Sequence, residues 1–431
     1  MNKIVRFVEK NRKIILFYFK FIVLCILAGL GAGYFSVATD DVYLIFIKYF
    51  HLYPYSVLVF TPVVFMLISF LLKRFFPYAG GSGLPQGYAL DAYEKSSLYA
   101  TYSIRTMFGK ILLTLLSIGS GAALGREGPT IQICASIFGS MRNMSLHRKK
   151  LLIRIGSGIG VATAFNAPLG GIFFAFEEYL RVSNVKVNTL LLLGVAVAGY
   201  MGITVYGDYA YMGTISPRLL YYHGGTLLLA VIAGILCGLV GALYTNLMVY
   251  VSVDKGQWIH RFRKKYAILL AGICGFLLAV LGIMSDGFAF SNGAFEVRDV
   301  LVHGTDLPWF YGVAKSLGSI LSVAASAPGG YFSTALSIGA GLMGFIHRMF
   351  PVLPIEQFYL LGMAGFLAAI TNAPLTTMAM IISITVGSQH FMLPIIISSV
   401  LAAHIASLFG DSVYHQQVLM YIDRDKYYET R

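Results

Sequence analysis

The sequence has little charge. Asp, Glu, Lys and Arg make up only 12% of its 431 residues, hydrophobic residues make up 57%, and the mean hydropathy is +0.74. These values lie well outside the range of soluble globular domains, so they exclude a soluble protein. They predict an all-α membrane protein that crosses the bilayer several times.

Acidic residues are especially scarce. The chain has 19 Asp and Glu residues against 32 Lys and Arg residues, which gives a net charge of +13. In a soluble protein this excess would suggest nucleic-acid binding, but the basic residues here cluster between apolar runs, for example at 142–150 and 260–265. Such clusters are typical of the cytoplasmic loops of membrane proteins. The sequence therefore predicts contact with a lipid bilayer and none with nucleic acid.

The cysteines show neither metal-binding nor disulfide spacing. Each lies within an apolar run, and the sequence has no CxxC pair and no Cys/His cluster. We therefore expect no disulfide framework, no metal and no cofactor. The four residues, which we interpret as small packing residues, are Cys25, Cys134, Cys237 and Cys274.

The apolar runs divide the chain into four segments. The first span is longer than the core of a signal peptide and no cleavage signal follows it, so we expect it to be retained. Both termini are predicted to be cytoplasmic, and no cytoplasmic regulatory domain is expected after the last span. The segments are a basic surface helix (1–13), a first transmembrane repeat (14–210), a second repeat (211–410), and a C-terminal helix and tail (411–431).

An internal repeat relates the two long segments. The tetrapeptide Asn-Ala-Pro-Leu occurs at 166–169 and again at 372–375. Because several features share nearly this offset, the chain is predicted to be two copies of one fold. Two of these features are lysines, Lys110 and Lys315, which are interpreted as structural cations that bind backbone carbonyls within their own copy. The further pairs are Lys110 with Lys315 and Gly139 with Gly344.

The two copies are predicted to have opposite orientations in the membrane. The connector 142–150 is basic, whereas its counterpart 350–357 has no basic residue, which indicates opposite sides of the bilayer. Residues 128–140 would form a helix of only about 20 Å, too short for a hydrocarbon core of about 30 Å. Short helices that start at Gly or Pro are typical of discontinuous helices whose ends meet in the middle of the bilayer.

An acid and a base lie immediately before this short segment, in the stretch Gly-Arg-Glu-Gly-Pro at 125–129. A charged group at such depth is costly and usually functional. Glu127 and Pro129 are placed to begin a helix, whose unpaired N–H groups and dipole bind anions. The carboxylate of Glu127 can fill that site itself, as a helix cap, or yield it to a free ion.

Three motifs occur in a fixed order, at 81–85, 125–129 and 329–332. With them the sequence resembles the CLC family of chloride channels and proton-coupled chloride transporters, over about residues 14 to 420. The resemblance implies an inverted repeat, a homodimer with one pathway per subunit, and a location in the bacterial inner membrane. It also implies that the chain transports chloride and is not an enzyme.

The resemblance implies roles for individual residues as well. Glu127 would be the gating glutamate, whose carboxylate competes with chloride and takes up a proton when it is displaced. Partial charges can hold a bare anion without trapping it. The implied chloride ligands are the hydroxyls of Ser82 and Tyr414 and the backbone N–H groups of Gly128, Tyr331 and Phe332. The Ser and Tyr ligands together favour chloride over nitrate and fluoride.

Glu178 distinguishes two activities within the family. Members that exchange protons carry an internal glutamate at the matching position, whereas channels generally lack an acid there, so the resemblance implies a chloride/proton antiporter. Glu177 and Arg181 have the i, i+4 spacing of a pair on one helix face, which leaves Glu178 pointing about 100° away. A passive chloride channel is the alternative.

The sequence departs from the family's pattern in three places. Gln86 stands where Glu is usual, Ser333 and Thr334 replace Ala-Pro, and Ser383 replaces an acid common in the exchangers. We expect the first two departures to alter vestibule electrostatics or coordination geometry. None of them removes a proposed ligand or proton carrier.

An intramembrane serine protease is the alternative from another class. Residues 80–83 also match the Gly-x-Ser-Gly nucleophile pattern of rhomboid-like proteases, with Ser82 as nucleophile and His404 as a conceivable base. A pattern of four small residues arises easily. The internal repeat has no explanation in such a protease.

Overall fold

The computed structural model describes residues 2–141, 144–179, 185–207, 210–222 and 224–421. Within these ranges all regular secondary structure is helical, and extended backbone pairs only at two isolated bridges, Gly125 with Gly330 and Thr214 with Val386. The all-α prediction is therefore confirmed. The first half contains α1 (Asn2–Leu52), α2 (Val57–Arg74), α3 (Leu84–Tyr88), α4 (Lys95–Thr101), α5 (Ile104–Gly119), α6 (Glu127–Gly139), α7 (Leu146–Ala164), α8 (Pro168–Phe174), a π turn (Ala175–Tyr179) and α9 (Val185–Tyr206).

The second half repeats this order of long and short helices. It contains α10 (Gly224–Ser252), α11 (Trp258–Met284), α12 (Ala294–His303), α13 (Tyr311–Ala324), α14 (Phe332–Met349), α15 (Ile355–Thr371), α16 (Pro374–Ile384), α17 (Met392–Ser407) and α18 (Val413–Gln417). Short 3-10 turns lie at Pro54–Ser56, Pro217–Leu219, Ser388–Phe391 and Val418–Met420.

Six helical stretches of the described chain are long and apolar enough to cross a membrane. Many of their large apolar side chains are exposed, among them Leu228 and Leu243 on α10, as a surface in contact with lipid requires. The six stretches are Ile14–Leu52, Pro54–Arg74, Thr189–Tyr206, Gly224–Ser252, Trp258–Met284 and Ser388–Ser407.

The short helices form the centre of the molecule. In α6 every residue except Ile137 is buried, and in α15 every residue except Ile355 is buried. A helix that is buried on all sides needs other helices around it. The longer, lipid-exposed helices provide this cover, which allows helices too short to span a bilayer to end inside the protein.

Helix packing repeats in the two halves. The pairs α6–α7, α1–α9 and α5–α6 of the first half correspond to α14–α15, α10–α17 and α13–α14 of the second. Between the halves, equivalent helices touch each other, α2 with α11, α8 with α16, and α6 with α14. Two copies related by a twofold axis would give this arrangement, and the internal repeat stays a prediction. Their opposite orientation in a membrane stays a prediction.

The duplicated Asn-Ala-Pro-Leu motif marks equivalent helix boundaries. Asn166 and Asn372 have φ of 50° and 55°, the left-handed conformation that ends a helix. Pro168 and Pro374 then occupy the first turns of α8 and α16, where the missing N–H has no cost. Each motif therefore makes a sharp break between two packed helices.

Three boundaries differ from those expected. Residues 2–13 are continuous with the first span in α1 and form no separate helix. α11 begins at Trp258 and so includes the basic cluster 260–265, which was expected to lie between apolar runs, and Tyr266 has non-helical φ and ψ at a kink. α12 was not expected, because its charged residues interrupt any apolar run.

Candidate anion-binding site

The starts of α6 and α14 meet at the centre of the molecule. Gly125 N–H donates to the Gly330 carbonyl at 2.8 Å, and Gly330 N–H donates to the Gly125 carbonyl at 2.6 Å. This antiparallel bridge places two helix N-termini side by side. Their unpaired N–H groups and dipoles favour negative charge at the junction. We call this the α6–α14 junction.

Glu127 fills the junction with its own side chain, which is fully buried. Its Oε1 accepts a hydrogen bond from Tyr211 Oη at 3.1 Å and another from Ser333 Oγ. Its Oε2 has no hydrogen-bond partner within the described ranges. A Cβ at Gly125 would lie 2.1 Å from this oxygen, and a Cβ at Gly330 would lie 3.1 Å from it. The two glycines therefore make room for the carboxylate.

Arg126 is adjacent to Glu127, but another carboxylate balances its charge. Its guanidinium forms an ion pair with Asp40 at 2.5 Å and donates to the Ser36 carbonyl at 2.8 Å. It also lies 5.4 Å from the centre of the Tyr211 ring. Because a carboxylate already balances the arginine, an anion at the junction would meet mainly the partial charges of helix ends and hydroxyls.

The Ser82 loop packs against the first turn of α6. Gly81 and Gly83 have φ of 65° and 104°, and a Cβ at Gly83 would lie 2.6 Å from the Gly128 carbonyl. Ser82 is fully buried, and its Oγ accepts from Leu84 N–H at 3.3 Å. The glycines thus bring the serine hydroxyl to the start of α3, next to the helix that carries Glu127.

Lys110 holds this loop. Its ammonium donates to the carbonyls of Ala79, Gly80 and Gly81 at 3.0, 3.2 and 2.7 Å, and the side chain is fully buried. In the second half Lys315 donates in the same way to the carbonyls of residues 290 and 291, at 2.6 and 3.5 Å. The prediction that both lysines are structural cations within their own copies is confirmed.

Tyr414 lies on the other side of the α14 start. Its ring stacks on Tyr331 and Phe332 with centroids 5.6 and 5.7 Å apart, and the residue is fully buried. Its hydroxyl has no hydrogen-bond partner within the described ranges. This burial is incompatible with an interfacial aromatic. A buried hydroxyl without a partner is costly unless a ligand or water meets it.

The implied chloride ligands converge. The Ser82 loop touches the α14 side through Gly329 N–H, 3.4 Å from the Gly81 carbonyl, and touches the α6 side at Gly128. Tyr414 packs directly on Phe332, as described above. Residues far apart in the sequence therefore lie against one another beside the starts of α6 and α14.

Glu178 lies in the π turn after α8 and faces the C-terminal segment. Its Oε2 is 4.0 Å from His415 Nε2, and its side chain is 6% exposed. The His415 ring stacks on Tyr88 with centroids 4.4 Å apart, and its Nδ1 is 2.8 Å from Ser412 Oγ. Glu178 is thus buried beside the residue that follows Tyr414.

Glu177 contacts the start of a helix in the second half. Its carboxylate accepts from Leu375 N–H at 3.2 Å and from the N–H and hydroxyl of Thr376 at 2.7 and 2.6 Å. It therefore caps the start of α16, where a negative charge is favourable. Its expected partner Arg181 lies outside the described residues.

The departures from the family's pattern have separate consequences. Gln86 donates to the Gly80 carbonyl at 3.0 Å, and Thr334 donates to the Ala123 carbonyl at 3.3 Å. Ser383 bonds to Ala379 within its own helix. Only Ser333 touches a proposed gating group, because it donates to Glu127.

Tyr211 is the partner of Glu127 that sequence reasoning missed. It lies in the segment between α9 and α10, fully enclosed near Phe165, whose ring is 5.3 Å away. Asn292 Nδ2 donates to its hydroxyl at 3.5 Å. Neither residue belongs to one of the three motifs, so no local pattern indicated them.

The serine protease alternative has no support in the geometry. A serine nucleophile needs a base within hydrogen-bond reach. Ser82 is buried at the start of α3 and bonds to Leu84, whereas His404 is exposed on α17. The part of the chain that the structure describes also contains no group of three or more His, Cys, Asp or Glu residues placed to hold a metal ion.

A cavity of about 500 Å³ leads from the protein surface to the Ser82 loop. Its mouth carries Lys73, Arg263 and Lys264, and its inner end is lined by Gly81 and Tyr331. Basic side chains at the mouth raise the local concentration of anions. The cavity therefore reaches the Ser82 loop at Gly81 and the residue before α14, Tyr331.

Comparison with known proteins gives one family. The family model described as "Voltage gated chloride channel" matches residues 63–407. The H(+)/Cl(-) exchange transporter ClcA of Citrobacter koseri is 30% identical over 390 residues, which cover 85% of this chain and 80% of that protein.

Solved structures share the fold. A slow cyanobacterial Cl-/H+ antiporter superimposes with a TM-score of 0.77 at 23% identity and covers 96% of this chain and 99% of its own. A CLC-type fluoride/proton antiporter has a TM-score of 0.76 at 18% identity and covers 92% of this chain and 97% of its own. At these identities the likeness concerns the fold alone.

Proposed function

The chain belongs to the voltage-gated chloride channel family, and from that premise we propose that it exchanges chloride for protons across a membrane. One observation carries the proposal. A buried carboxylate, that of Glu127, occupies the point where two helix starts and two hydroxyl groups favour an anion. A group in that position can exchange places with chloride. The relative from Citrobacter koseri is named as an H(+)/Cl(-) exchange transporter.

Chloride would bind beside the carboxylate, between the Ser82 loop and Tyr414. The proposed ligands are the two hydroxyls and the N–H groups of Gly128, Tyr331 and Phe332. The partnerless hydroxyl of Tyr414 supports this assignment, because it is available to an anion. Several partial charges can replace the hydration shell of chloride without binding it too tightly to leave. The serine and tyrosine hydroxyls favour chloride among the anions.

Glu127 would act as both gate and proton carrier. As a carboxylate it competes with chloride for the junction. When chloride displaces it, the carboxylate loses its two hydroxyl donors and the helix dipoles that stabilise its charge. It then takes up a proton. This alternation links the movement of the anion to that of the proton.

Glu178 would pass protons between Glu127 and the other side of the membrane. Its carboxylate is buried but lies next to the polar contacts of His415 with Ser412. An acid in this position favours exchange over passive conduction. A passive chloride channel is the second candidate, since a protein with this site could also conduct chloride without protons.

The orientation follows from the basic connectors. Residues 144–150 and 260–265 would face the cytoplasm, so the cavity lined by Arg263 and Lys264 would open to that side. Both termini would then be cytoplasmic and the two halves would be inverted repeats. We further propose a homodimer in the bacterial inner membrane, with one pathway per subunit.

Replacement of the gate tests the proposal. In liposomes, Glu127→Ala should retain chloride flux and lose chloride-driven proton transport, because the group that carries the proton and competes with the anion is gone. Chloride efflux and proton uptake are measured with electrodes on the same preparation. Asp91→Ala, at an exposed ion pair with Arg154, is the control and should keep both fluxes. Proton transport that survives Glu127→Ala would contradict the proposal.

A further inference from the structure

We propose that Tyr211 and Ser333 form a hydroxyl clamp on the carboxylate of Glu127, and that release from this clamp limits the rate at which chloride replaces the carboxylate. The inference rests on the proposed function of Glu127 as the gate. It assigns two positioning residues that lie outside the inner ligand set of Ser82 and Tyr414.

The clamp consists of three oxygen atoms in mutual contact. Tyr211 Oη and Ser333 Oγ both donate to Glu127 Oε1, and they lie 2.9 Å from each other. All three residues are buried. Hydrogen bonds to a charged group in such surroundings are stronger than bonds between neutral groups. The contact therefore stabilises the carboxylate where it blocks the junction.

Asn292 directs the hydrogen of the tyrosine toward the carboxylate. A tyrosine hydroxyl has one hydrogen and can also accept. Because Asn292 Nδ2 donates to Tyr211 Oη at 3.5 Å, the tyrosine oxygen is used as acceptor and its hydrogen is left for Glu127. The Oδ1 of Asn292 in turn accepts from Ala294 N–H at 3.1 Å, which fixes the amide.

Tyr211 is held in place by its neighbours. Met212 N–H donates to the Ile384 carbonyl at 2.8 Å, and Ile215 N–H donates to the Val386 carbonyl at 2.9 Å, so the segment is tied to the end of α16. The Arg126 guanidinium and the Phe165 ring lie against the tyrosine ring. The hydroxyl is therefore preorganised to meet the carboxylate and does not depend on a flexible loop.

The clamp is the counterpart of the inner ligand set in the other half of the molecule. Tyr414 follows α17 and packs on the start of α14, and Tyr211 follows α9 and packs on the start of α6. The Oδ1 of Asn292 accepts from the first N–H of α12, as the Oγ of Ser82 accepts from the first N–H of α3. The same twofold arrangement thus surrounds the junction with hydroxyl donors on both sides.

Loss of one clamp bond should speed the transport cycle. We expect Tyr211→Phe and Ser333→Ala each to raise chloride turnover about tenfold to a hundredfold, since a hydrogen bond to a charged group typically contributes that much to an equilibrium. Proton transport should rise in the same ratio, because Glu127 is still present. Tyr359→Phe, at a buried tyrosine bonded to Asp306, is the matched control and should change neither flux.

A double-mutant cycle with Glu127→Ala tests whether the two residues act through the carboxylate. In the Glu127→Ala background, Tyr211→Phe and Ser333→Ala should leave chloride flux unchanged. An equal change in both backgrounds, or no rise in the background that retains Glu127, would overturn the clamp. If one variant does not fold, as judged by gel filtration, the other carries the same test. A Glu127→Ala protein that still exchanges protons would instead refute the proposed function itself.

Discussion

The carboxylate of Glu127 fits its position because two neighbouring residues have no side chain. Gly125 and Gly330 pair through their backbones and leave a space that the Oε2 atom occupies. The glycines of two motifs therefore serve the same acid, although they are separated by about two hundred residues in the sequence. This explains in steric terms why a glycine precedes the charged pair at 126–127.

Replacement of Gly125 and replacement of Gly330 should have different effects on flux and on stability. In Gly125→Ala the new Cβ would lie 2.1 Å from the Glu127 carboxylate, which can rotate away, so we expect a folded protein that leaks chloride with weakened proton coupling. In Gly330→Ala the Cβ would lie 2.6 Å from the backbone nitrogen of Gly128, which cannot move as easily. That variant should lose about 1–3 kcal/mol of stability. Thermal unfolding in detergent and flux in liposomes separate the two effects. Similar losses of stability in both would show that the carboxylate does not yield.

Replacement of the neighbouring acids Glu177 and Glu178 should also have different effects on transport and on stability. Glu178→Gln is expected to stop proton transport and to leave chloride flux, because the amide cannot carry a proton between the membrane side and Glu127. Glu177→Gln, the matched control, should keep coupled transport and lose about 1 kcal/mol of stability, because it weakens the cap of α16. The two fluxes and the melting temperature are measured for both. Normal proton transport in Glu178→Gln would remove this residue from the pathway.

Residues of the site could be predicted from the sequence where a motif carried them. Glu127 and Ser82 stand out because a charge in an apolar run and a serine between glycines are visible locally. Tyr211 has no such signal, since it is one of 28 tyrosines and its contact with Glu127 spans 84 residues. Ser333 was noted only as a departure from a pattern. Its contact with Glu127 became visible only with the geometry.

At the scale of elements, buried lysines fix the loops that precede short helices. Lys110 donates to three consecutive carbonyls in the loop that precedes α3, and so adds to the bonds that Gln86 and Gly329 donate to two of them. The ammonium replaces the hydrogen bonds that a longer helix would supply. The position of Ser82 therefore depends on a residue of α5.

Replacement of this lysine should loosen the loop. Lys110→Met keeps the apolar length of the side chain and removes the donor, so we expect a loss of stability of about 3 kcal/mol and weaker chloride binding. Lys95→Met, at an exposed lysine of α4, is the control and should change neither. Chloride affinity is measured by titration calorimetry and stability by thermal unfolding. Unchanged affinity in a destabilised Lys110→Met protein would show that the lysine does not position the ligand.

Helices formed by an uninterrupted apolar run could be predicted from the sequence, whereas helices that combine apolar and charged residues could not. α10 (Gly224–Ser252) is an apolar run of uniform composition, which by itself predicts a membrane-spanning helix of that length. α12 contains Glu296, Arg298 and Asp299 and was missed, since it is stabilised by tertiary contacts such as that of Glu296 with Tyr43. The sequence did not predict that α1 extends to Leu52, because Asp40 and Asp41 interrupt its apolar pattern.

At the scale of the whole molecule, the predicted repeat would explain why residues of both halves meet at one site. α6 with Glu127 comes from the first half, and α14 with Ser333 comes from the second. The sequence offset predicted the repeat, but it could not show that equivalent glycines pair with each other. Contact between the halves arises only when both copies are folded.

The central claim is that an anion and a proton use one acid in turn. It is tested most directly by the reversal potential of the unmodified protein in a planar bilayer under combined chloride and pH gradients. Coupled exchange predicts a reversal potential that shifts whenever the pH gradient is changed at constant chloride. A reversal potential that follows the chloride gradient alone, whatever the pH gradient, would contradict the claim and identify a passive chloride channel.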